Sequence, residues 1–368
     1  MQVTRLSSFY DFQYGKGNNN PDNGGQYPVY GSNGIIGWYD KFNSEDAPVI
    51  GHIGANCGSV VWAKGKHFVT YNGVICKIKA GCNPRYGYYL LLNSNLKSRF
   101  RGAAQPFISY DLLENVIVYN PPKAVQDKIA SILSAYDNLI ENNNKRIRLL
   151  EQMAENLYKE WFAYHRIKDS AKEIRLTEVV SYSRGLSYSS EEIDCEDGND
   201  LINLKNIQAF GGFRLDGTKK YDGLYKEEQI VIEGDLIMGV TDMTQDRRTV
   251  GSVALIPNIT NLSVISADLI KLKSDIDNVY LYAMFRWGNV SRYISQFANG
   301  ANVLHLRPQV LKNIKVMLPQ KTLIEKYVST VKPMIETINK LNTENDNLTR
   351  QRDLLLPRLM SGKLEVKE

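Results

Sequence analysis

The segment 113–131, LENVIVYNPPKAVQDKIAS, and the segment 311–329, LKNIKVMLPQKTLIEKYVS, decide how this chain is organised. At a constant offset of 198 residues they share seven identical positions without a gap. One of these is a proline that stands before a helical pattern in each copy, at Pro121 and Pro319. An ungapped register of this length indicates an internal duplication of a module followed by a helix.

Each copy continues into residues spaced by alternating steps of 3 and 4, the pattern of a coiled-coil seam. We predict two long helices, 121–163 and 319–361, each starting at its proline. Pro333 should kink the second helix and Pro357 should break or end it. Two helices that each pack only on their own module remain the alternative. The predicted seam residues are Tyr136, Ile140, Asn143, Ile147, Leu150 and Leu157 in the first helix, and Ile338, Leu341, Asn345, Leu348 and Leu355 in the second.

The two helices are expected to pair in antiparallel orientation as a coiled coil. A pseudo-twofold arrangement makes facing residue numbers add to a constant, and we predict that Asn143 faces Asn345 and Ile147 faces Leu341. A buried asparagine pair fixes the register at a cost in stability. A helix of this length spans roughly 57 Å, which suits a ruler for a split site whose halves lie about 34 Å apart on DNA.

The fold class is therefore α+β, with two globular modules at 1–120 and 164–318 and a tail at 362–368. Residues Asp169–Lys172 should link the first helix to the second module. Helices are predicted at Pro84–Leu92 and Val279–Arg286. Strands are predicted at Ala47–Ile50, Ser59–Trp62, Val74–Ile78, Val116–Tyr119, Asp235–Met238, Val253–Ile256 and Leu269–Leu272.

Composition limits the function classes only weakly. The net charge of +5 and the pI near 8.7 fit a polyanionic partner without requiring one. No apolar run reaches the roughly 18 residues of a membrane span, and no signal-peptide pattern begins the chain, so a cytoplasmic location is expected. The four cysteines and four histidines lack metal-ligand spacing, so no metal site is expected.

Several short motifs resemble one family when taken in order. They read YPVYGSNGIIG at 27–37, GHIGANCGSV at 51–60, QPFIS at 105–109, GDLIM at 234–238 and LLPRLMSG at 355–362. Together with the duplication they make the whole chain resemble the specificity subunits of type I restriction–modification systems. The chain departs from that pattern at His52, where many members carry a basic residue, and a phosphate contact there is therefore in doubt.

The resemblance implies two target-recognition domains that each read one half of an asymmetric bipartite DNA site. It also implies that the two spacer helices bind two methyltransferase (modification) subunits, which methylate adenine. Translocase–nuclease (restriction) subunits complete the restricting complex. No membrane partner is implied, and S-adenosylmethionine, ATP and Mg²⁺ are expected only in the partner subunits.

Basic, amide and aromatic side chains in the loops of both modules are the candidates for DNA contact, because such groups reach phosphates and base edges. In module 1 these are Lys16, Asn33, Trp38, Tyr39, Lys41, Asn56, Lys64, Lys66, Arg99, Arg101 and Gln105. In module 2 they are Arg184, Tyr188, Lys219, Lys220, Tyr221, Thr241, Thr244, Gln245, Arg247, Arg248, Asn302 and His305. The run from Thr241 to Arg248 is the best single loop.

No catalytic residue is predicted, and the chain is expected to be a non-catalytic subunit. The run NPPK at 120–123 is similar to an adenine-methyltransferase motif, but Lys123 stands where that motif needs an aromatic residue to stack on the flipped base. Three alternatives stay open: a recognition subunit of a related methyltransferase–nuclease that is not type I, a scaffold with two non-DNA binding modules, and an adenine methyltransferase. A steep salt dependence of DNA binding would disfavour the scaffold.

Overall fold

The computed structural model of the chain describes residues 2–17, 21–102, 104–162, 167, 170–193 and 195–366, and it divides into two compact units. Unit 1 comprises residues 1–142 and 344–368, and unit 2 comprises residues 143–343. The two long helices are each divided between the units. The units therefore differ from the predicted separation of modules and helices along the chain.

Unit 1 is built on a six-stranded sheet with the order β2-β7-β5-β6-β3-β4. A separate antiparallel pair, β1-β8, joins the start of the module to its end. The strands are β1 Val3–Arg5, β2 Tyr10–Tyr14, β3 Tyr27–Gly31, β4 Gly34–Tyr39, β5 Ser44–Gly51, β6 Val60–Val69, β7 Gly73–Ile78 and β8 Ile117–Tyr119.

The core of unit 1 lies between this sheet and three helices. They are α1 Pro84–Asn93, α2 Tyr110–Glu114 and the first half of α3, which runs from Lys123 to Phe162. Asn83 caps α1 by accepting a hydrogen bond from the backbone N–H of Tyr86, as an N-cap side chain does. Ile129 and Leu133 of α3 are buried in the same core as Leu359, close to the carboxyl end of the chain.

Unit 2 contains two four-stranded sheets, with orders β10-β18-β14-β16 and β12-β11-β17-β13, and two antiparallel pairs, β15-β19 and β20-β9. The strands are β9 Lys172–Arg175, β10 Ser181–Arg184, β11 Asn199–Ile202, β12 Lys219–Tyr221, β13 Ile230–Val231, β14 Leu236–Gly239, β15 Thr241–Asp242, β16 Val253–Leu255, β17 Ser263–Ile265, β18 Leu269–Lys273, β19 Leu304–His305 and β20 Lys315–Leu318. Its helices are α4 Asn278–Arg286, α5 Val290–Ser295, the end of α3 and the start of α6, which runs from Lys321 to Met360.

The duplication is visible in the topology. The order β10-β18-β14-β16 in unit 2 corresponds to β2-β7-β5-β6 in unit 1, and in both units a helix follows the second strand of that order. Beyond this shared sheet, unit 1 adds the β3–β4 hairpin and unit 2 adds its second sheet. The modules thus share one frame and differ in what is attached to it.

The two long helices contact each other within each unit in the antiparallel sense. In unit 1 the Arg352 guanidinium lies 2.8 Å from the Asp137 carboxylate. In unit 2 the Tyr327 hydroxyl donates a 3.2 Å hydrogen bond to the Ala154 carbonyl, and its ring meets that of Trp161 edge-on. All eleven predicted seam residues are buried or half-buried. Asn143 and Asn345 are each buried, and their pairing stays a prediction.

The prediction that Pro357 breaks or ends the second helix is wrong. Helix α6 continues to Met360, because Leu359 and Met360 are buried in the core of unit 1 and hold the last turn in place. The helix ends at Met360, and Gly362 just beyond it has a φ of +66°, a left-handed conformation suited to glycine. Pro333 lies inside α6, and its kink stays a prediction. Among the described residues, no helix is both long and apolar enough to cross a membrane.

Candidate nucleic-acid interface

Four loops of unit 1 meet at one end of its sheet, and we call them loop cluster 1: residues 32–33, 52–59, 70–72 and 99–107 without 103. The Ser32 hydroxyl lies 2.7 Å from the carbonyl oxygens of Ile53 and Asn72. The backbone N–H of Gly54 donates to the carbonyl of Pro106 at 2.9 Å. These bonds tie the β3–β4 turn, the glycine-rich loop and the loop before α2 into one surface.

The glycines of the 51–60 motif are explained by backbone geometry. Gly54 and Gly58 have φ values of +89° and +77°, which side chains with a Cβ rarely adopt. A Cβ on Gly58 would also lie 2.5 Å from the Leu96 carbonyl oxygen. The motif therefore forms a compact turn that places Asn56 at the surface.

His52 cannot contact DNA from its position beneath this turn. It is 3% exposed, and its ring stacks on Tyr14 with 4.2 Å between ring centroids. Burial lowers the pKa of its imidazole, although its Nδ1 lies 2.9 Å from the Tyr71 carbonyl oxygen, which works in the opposite direction. Where many members of the family carry a basic residue, this chain thus has a neutral histidine in the core.

Several predicted DNA-contact residues lie exposed in loop cluster 1. Asn33 and Asn56 are joined by a side-chain hydrogen bond in which the Asn56 amide donates, and Gln105 is exposed nearby. Arg101 forms a 2.8 Å ion pair with Asp111, and Arg99 donates to the Ser94 carbonyl at 3.2 Å. Lys16 precedes Gly17, whose carbonyl accepts from Tyr71, and so borders the same surface.

Another group of predicted residues lies at the opposite end of the β3–β4 hairpin, because the strand register pairs Tyr27 with Tyr39 at that end. Lys66 lies 4.7 Å from the ring centroid of Phe42, and Lys64 forms a 3.6 Å ion pair with Glu141 of α3. The structure thus does not bring the whole predicted set together. The group comprises Trp38, Tyr39, Lys41, Lys64 and Lys66.

Loop cluster 2, residues 243–249 and 299–305 of unit 2, is the counterpart of part of loop cluster 1. The isolated bridge between Asn299 and His305 corresponds, at the offset of 198, to the bridge between Arg101 and Phe107. The Gln245 amide donates to the Ala301 carbonyl at 2.9 Å and joins the two loops. Thr244, Gln245, Arg247, Arg248, Asn302 and His305 all belong to this cluster, and Arg184 ends β10 at the same end of the sheet.

One buried carboxylate shapes loop cluster 2. Asp242 is 2% exposed, and it accepts backbone hydrogen bonds from Thr244 at 2.7 Å and from Thr249 at 2.6 Å. Burial acts to raise the pKa of this carboxyl, but the hydrogen bonds from Thr249 and Thr244 outweigh it and hold the pKa below its usual value. A charged Asp242 therefore organises the loop from within.

The structure corrects two of the predicted contacts. Tyr221 is 1% exposed and donates its hydroxyl to the Leu224 carbonyl at 2.8 Å. Thr241 is 6% exposed and donates to Asp268 at 2.9 Å. Both are core residues in unit 2, with no face turned to solvent. Lys220 pairs with Asp200 at 2.9 Å, and Lys219 and Tyr188 are half-buried.

Sequence reasoning missed exposed aromatic residues in loop cluster 1. Tyr71 and Phe107 are 40% and 38% exposed beside the predicted amides. The offset of 198 pairs Phe107 with His305, which was predicted, so the repeat itself contained the signal for this position. It also missed Arg292 and Ser291, which lie next to loop cluster 2 on α5.

Comparisons with known proteins agree on one family. A profile described as the type I restriction modification DNA specificity domain matches residues 2–152 and 168–350. The MjaIX type I restriction enzyme specificity subunit of Methanocaldococcus jannaschii is 25% identical over 322 residues, which are 79% of this chain and 71% of that protein. The HindI specificity subunit of Haemophilus influenzae is 22% identical over 76% of this chain and 77% of its own length. A crystal structure of a type I S subunit from M. genitalium covers 100% of this chain and 96% of its own, at 17% identity and a TM-score of 0.67, which shows a shared fold.

Proposed function

The chain belongs to the type I restriction modification DNA specificity family, and from that membership we propose that it reads an asymmetric bipartite DNA site and docks methyltransferase subunits. Each unit supplies one reading surface: loop cluster 1 reads one half-site and loop cluster 2 reads the other. The chain itself performs no chemistry on DNA.

The repeated bridged loop is the observation that carries this proposal. The bridges Arg101–Phe107 and Asn299–His305 place equivalent loops at the ends of equivalent sheets. In both places the exposed groups include amides and cations, which suit base edges and phosphates respectively. Because the side chains differ between the copies, the two half-sites are expected to differ in sequence.

The outer face of α3 supports the docking of partner subunits. In unit 1 it exposes Ile132 and Leu139, which lie two helical turns apart. In unit 2 it exposes Leu149 and Met153, which lie one turn apart. Exposed apolar side chains at helical spacing suit a protein partner better than solvent. We assign these faces to methyltransferase subunits and place the S-adenosylmethionine, ATP and Mg²⁺ chemistry of the complex in partner subunits, in the cytoplasm.

Methylation sequencing of host DNA tests the proposal. Strains with and without the gene are compared, with the methyltransferase subunit expressed in both. The expected result is loss of adenine methylation at one split, asymmetric motif in the strain that lacks the gene. The motif names both half-sites.

A matched control restores the gene with Leu139→Ala and Leu149→Ala, which should weaken partner docking and lower methylation without changing the motif. An unchanged methylome on deletion, with the methyltransferase present, would sink the specificity role. Methylation at the wild-type level in the control strain would show that Leu139 and Leu149 do not contribute to docking.

A further inference from the structure

An open pocket of about 530 Å³ adjoins loop cluster 2 in unit 2. Its lining includes Asp246 and Arg247 of the loop, and Ser291, Arg292 and Ser295 of α5. Arg286 of α4 also lines it. Three arginines thus face one space beside the predicted reading loop.

The charges in this pocket are not balanced. Arg286 is bound by Glu151 at 2.8 Å, and Asp246 is bound by Arg248. Within the part of the chain that the structure describes, no carboxylate pairs with the guanidinium of Arg247 or of Arg292. Two unpaired cations facing one pocket favour an anionic ligand.

A buried hydroxyl in the pocket wall lacks a partner. Ser291 is 9% exposed, and its Oγ has no hydrogen-bond partner among the described residues. Buried polar groups are normally hydrogen-bonded, because an unmet one costs stability. The Oγ is itself shielded from solvent, so this hydroxyl belongs to the packing of the wall and does not open onto the pocket.

Backbone strain is concentrated around the same pocket. Phe210, Arg247 and Asn289 all line it, and their φ values are +64°, +54° and +62°. Residues other than glycine rarely adopt this region, and such strain persists at functional sites where the surrounding structure enforces it. Here Asp242 holds the loop, and the Phe210 N–H donates to the Arg248 carbonyl at 2.7 Å. The pocket is therefore preorganised.

We propose that this pocket holds a phosphodiester group of the DNA backbone, bound by Arg247 and Arg292. The inference rests on the proposed DNA-reading function and assigns Arg247 to a phosphate rather than to a base edge. Phosphate contacts fix the position of the protein on the duplex without carrying sequence information. The pocket thus sets the register in which loop cluster 2 meets the base edges.

Salt-dependent binding of the full chain to DNA tests the pocket. The probes are a 40-base-pair duplex of mixed sequence and one that carries the methylated motif. The variants are Arg292→Gln, Arg247→Gln and Ser291→Ala, and the control is Lys312→Gln, which removes an exposed cation of the same unit outside the pocket lining. We expect each arginine variant to bind both duplexes about 10-fold more weakly. Each should also lower the slope of log affinity against log salt by about 0.9, because one phosphate contact is lost.

Ser291→Ala serves as a second control, because it changes the pocket wall without removing a cation. Removing an unpartnered buried hydroxyl should leave the urea midpoint unchanged or raise it, and DNA affinity should stay at the wild-type value.

Failure of the pocket and failure of the function give different results. If the wild-type chain binds neither duplex, the DNA-reading function itself is wrong. If the wild type binds and the arginine variants keep its affinity and salt slope, the pocket proposal is overturned. If an arginine variant loses affinity for the motif duplex but keeps its affinity for the mixed-sequence duplex, that arginine reads a base. This result would also overturn the pocket proposal.

Discussion

At the scale of single residues, Asp242 shows how one carboxylate determines a functional loop. Its oxygens accept from the backbone N–H groups of Thr244, Thr249 and Val250, at distances between 2.6 and 3.2 Å. Backbone donors that turn inward need such an acceptor, because water cannot reach them. These hydrogen bonds therefore fix the backbone that carries the residues from Met243 to Arg248.

Asp242→Ala should destabilise unit 2 by about 2 kcal/mol, because it leaves buried backbone donors without an acceptor. Amide hydrogen exchange should quicken at residues 244–250, and the urea midpoint should fall.

Since folding lowers the pKa of the Asp242 carboxyl, its contribution to stability is present above the unfolded pKa of about 3.9 and is lost as the pH falls through the folded pKa. The difference in stability between the wild type and Asp242→Asn should therefore begin to shrink below about pH 4 and continue to shrink as the pH falls through the folded pKa. Slow exchange at 244–250 in the alanine variant would contradict this role.

His52 and His67 predict a second pH dependence, in unit 1. Both are buried, and burial lowers the pKa of each imidazole. Below the unfolded pKa of about 6.5, these histidines bind protons in the unfolded chain but not in the folded chain. The free energy of unfolding is therefore larger at higher pH and decreases as the pH falls. The melting temperature should drop between pH 7.5 and 5.5, and by less in the double variant to glutamine.

The same substitution at the exposed His305 serves as the control. If the double variant shows as large a drop as the wild type, these two histidines are not its cause.

The sequence could identify loops that carry polar residues, but it could not show which side chains turn outward. Thr241 and Tyr221 are of residue types that contact DNA in other proteins, but strand pairing directs both side chains into the core. Arg292 and Ser291 have no local signal, because their importance comes from a loop more than 40 residues earlier. Side-chain direction and long-range neighbours are properties of the fold, and a single sequence does not state them.

At the scale of elements, the long helices and the apolar strands were predictable, and the second sheet of unit 2 was not. The structure places α3 and α6 within a few residues of the predicted bounds, and all seven predicted strands overlap observed ones, namely β5, β6, β7, β8, β14, β16 and β18. The second sheet of unit 2 was missed because its strands have two to four residues, too few to show a period, and β11 and β12 begin with polar residues. The prediction for Pro357 was wrong because the free-energy cost of a proline inside a helix is outweighed by the burial of Leu359 and Met360.

A partly buried polar cluster joins a module to the helices in unit 1. The Tyr89 hydroxyl donates to one oxygen of Asp137 at 2.5 Å, and Arg352 donates to the other at 2.8 Å. Tyr89 is fully buried. This burial is the larger cause, and the nearby Asp137 carboxylate the smaller cause, of a raised pKa of its phenol, which therefore remains a hydrogen-bond donor. The cluster therefore connects α1, α3 and α6.

Asp137→Ala should lower the unfolding free energy of unit 1 by about 2 to 3 kcal/mol, and Tyr89→Phe by about 1 kcal/mol. The Asp137→Ala and Arg352→Met changes should be non-additive by at least 0.5 kcal/mol or so in a double-mutant cycle. Additive effects would show that the ion pair contributes no coupling. Asp127→Ala is the control, since its pair with Lys123 is exposed and should contribute little to stability.

At the scale of the whole molecule, the chain repeats one frame and varies its attachments. The shared four-strand order keeps a bridged loop at the same end of each sheet, while the hairpin in unit 1 and the second sheet in unit 2 give the copies different surfaces. Gene duplication followed by divergence of the loops preserves the core, since core packing tolerates little change in volume. Two different readers on one frame suit an asymmetric target.

Loop variants should therefore relax only one half of the methylated motif. Asn33→Ala with Gln105→Ala alters loop cluster 1, and Thr244→Ala with Gln245→Ala alters loop cluster 2. A lost base contact costs about 1 to 3 kcal/mol at one position, so methylation should spread to sequences that differ in one half-site while the other half stays strict. Methylation sequencing of the two strains should show relaxation in opposite halves. Relaxation of both halves by either variant would show that the two loop clusters do not read independently.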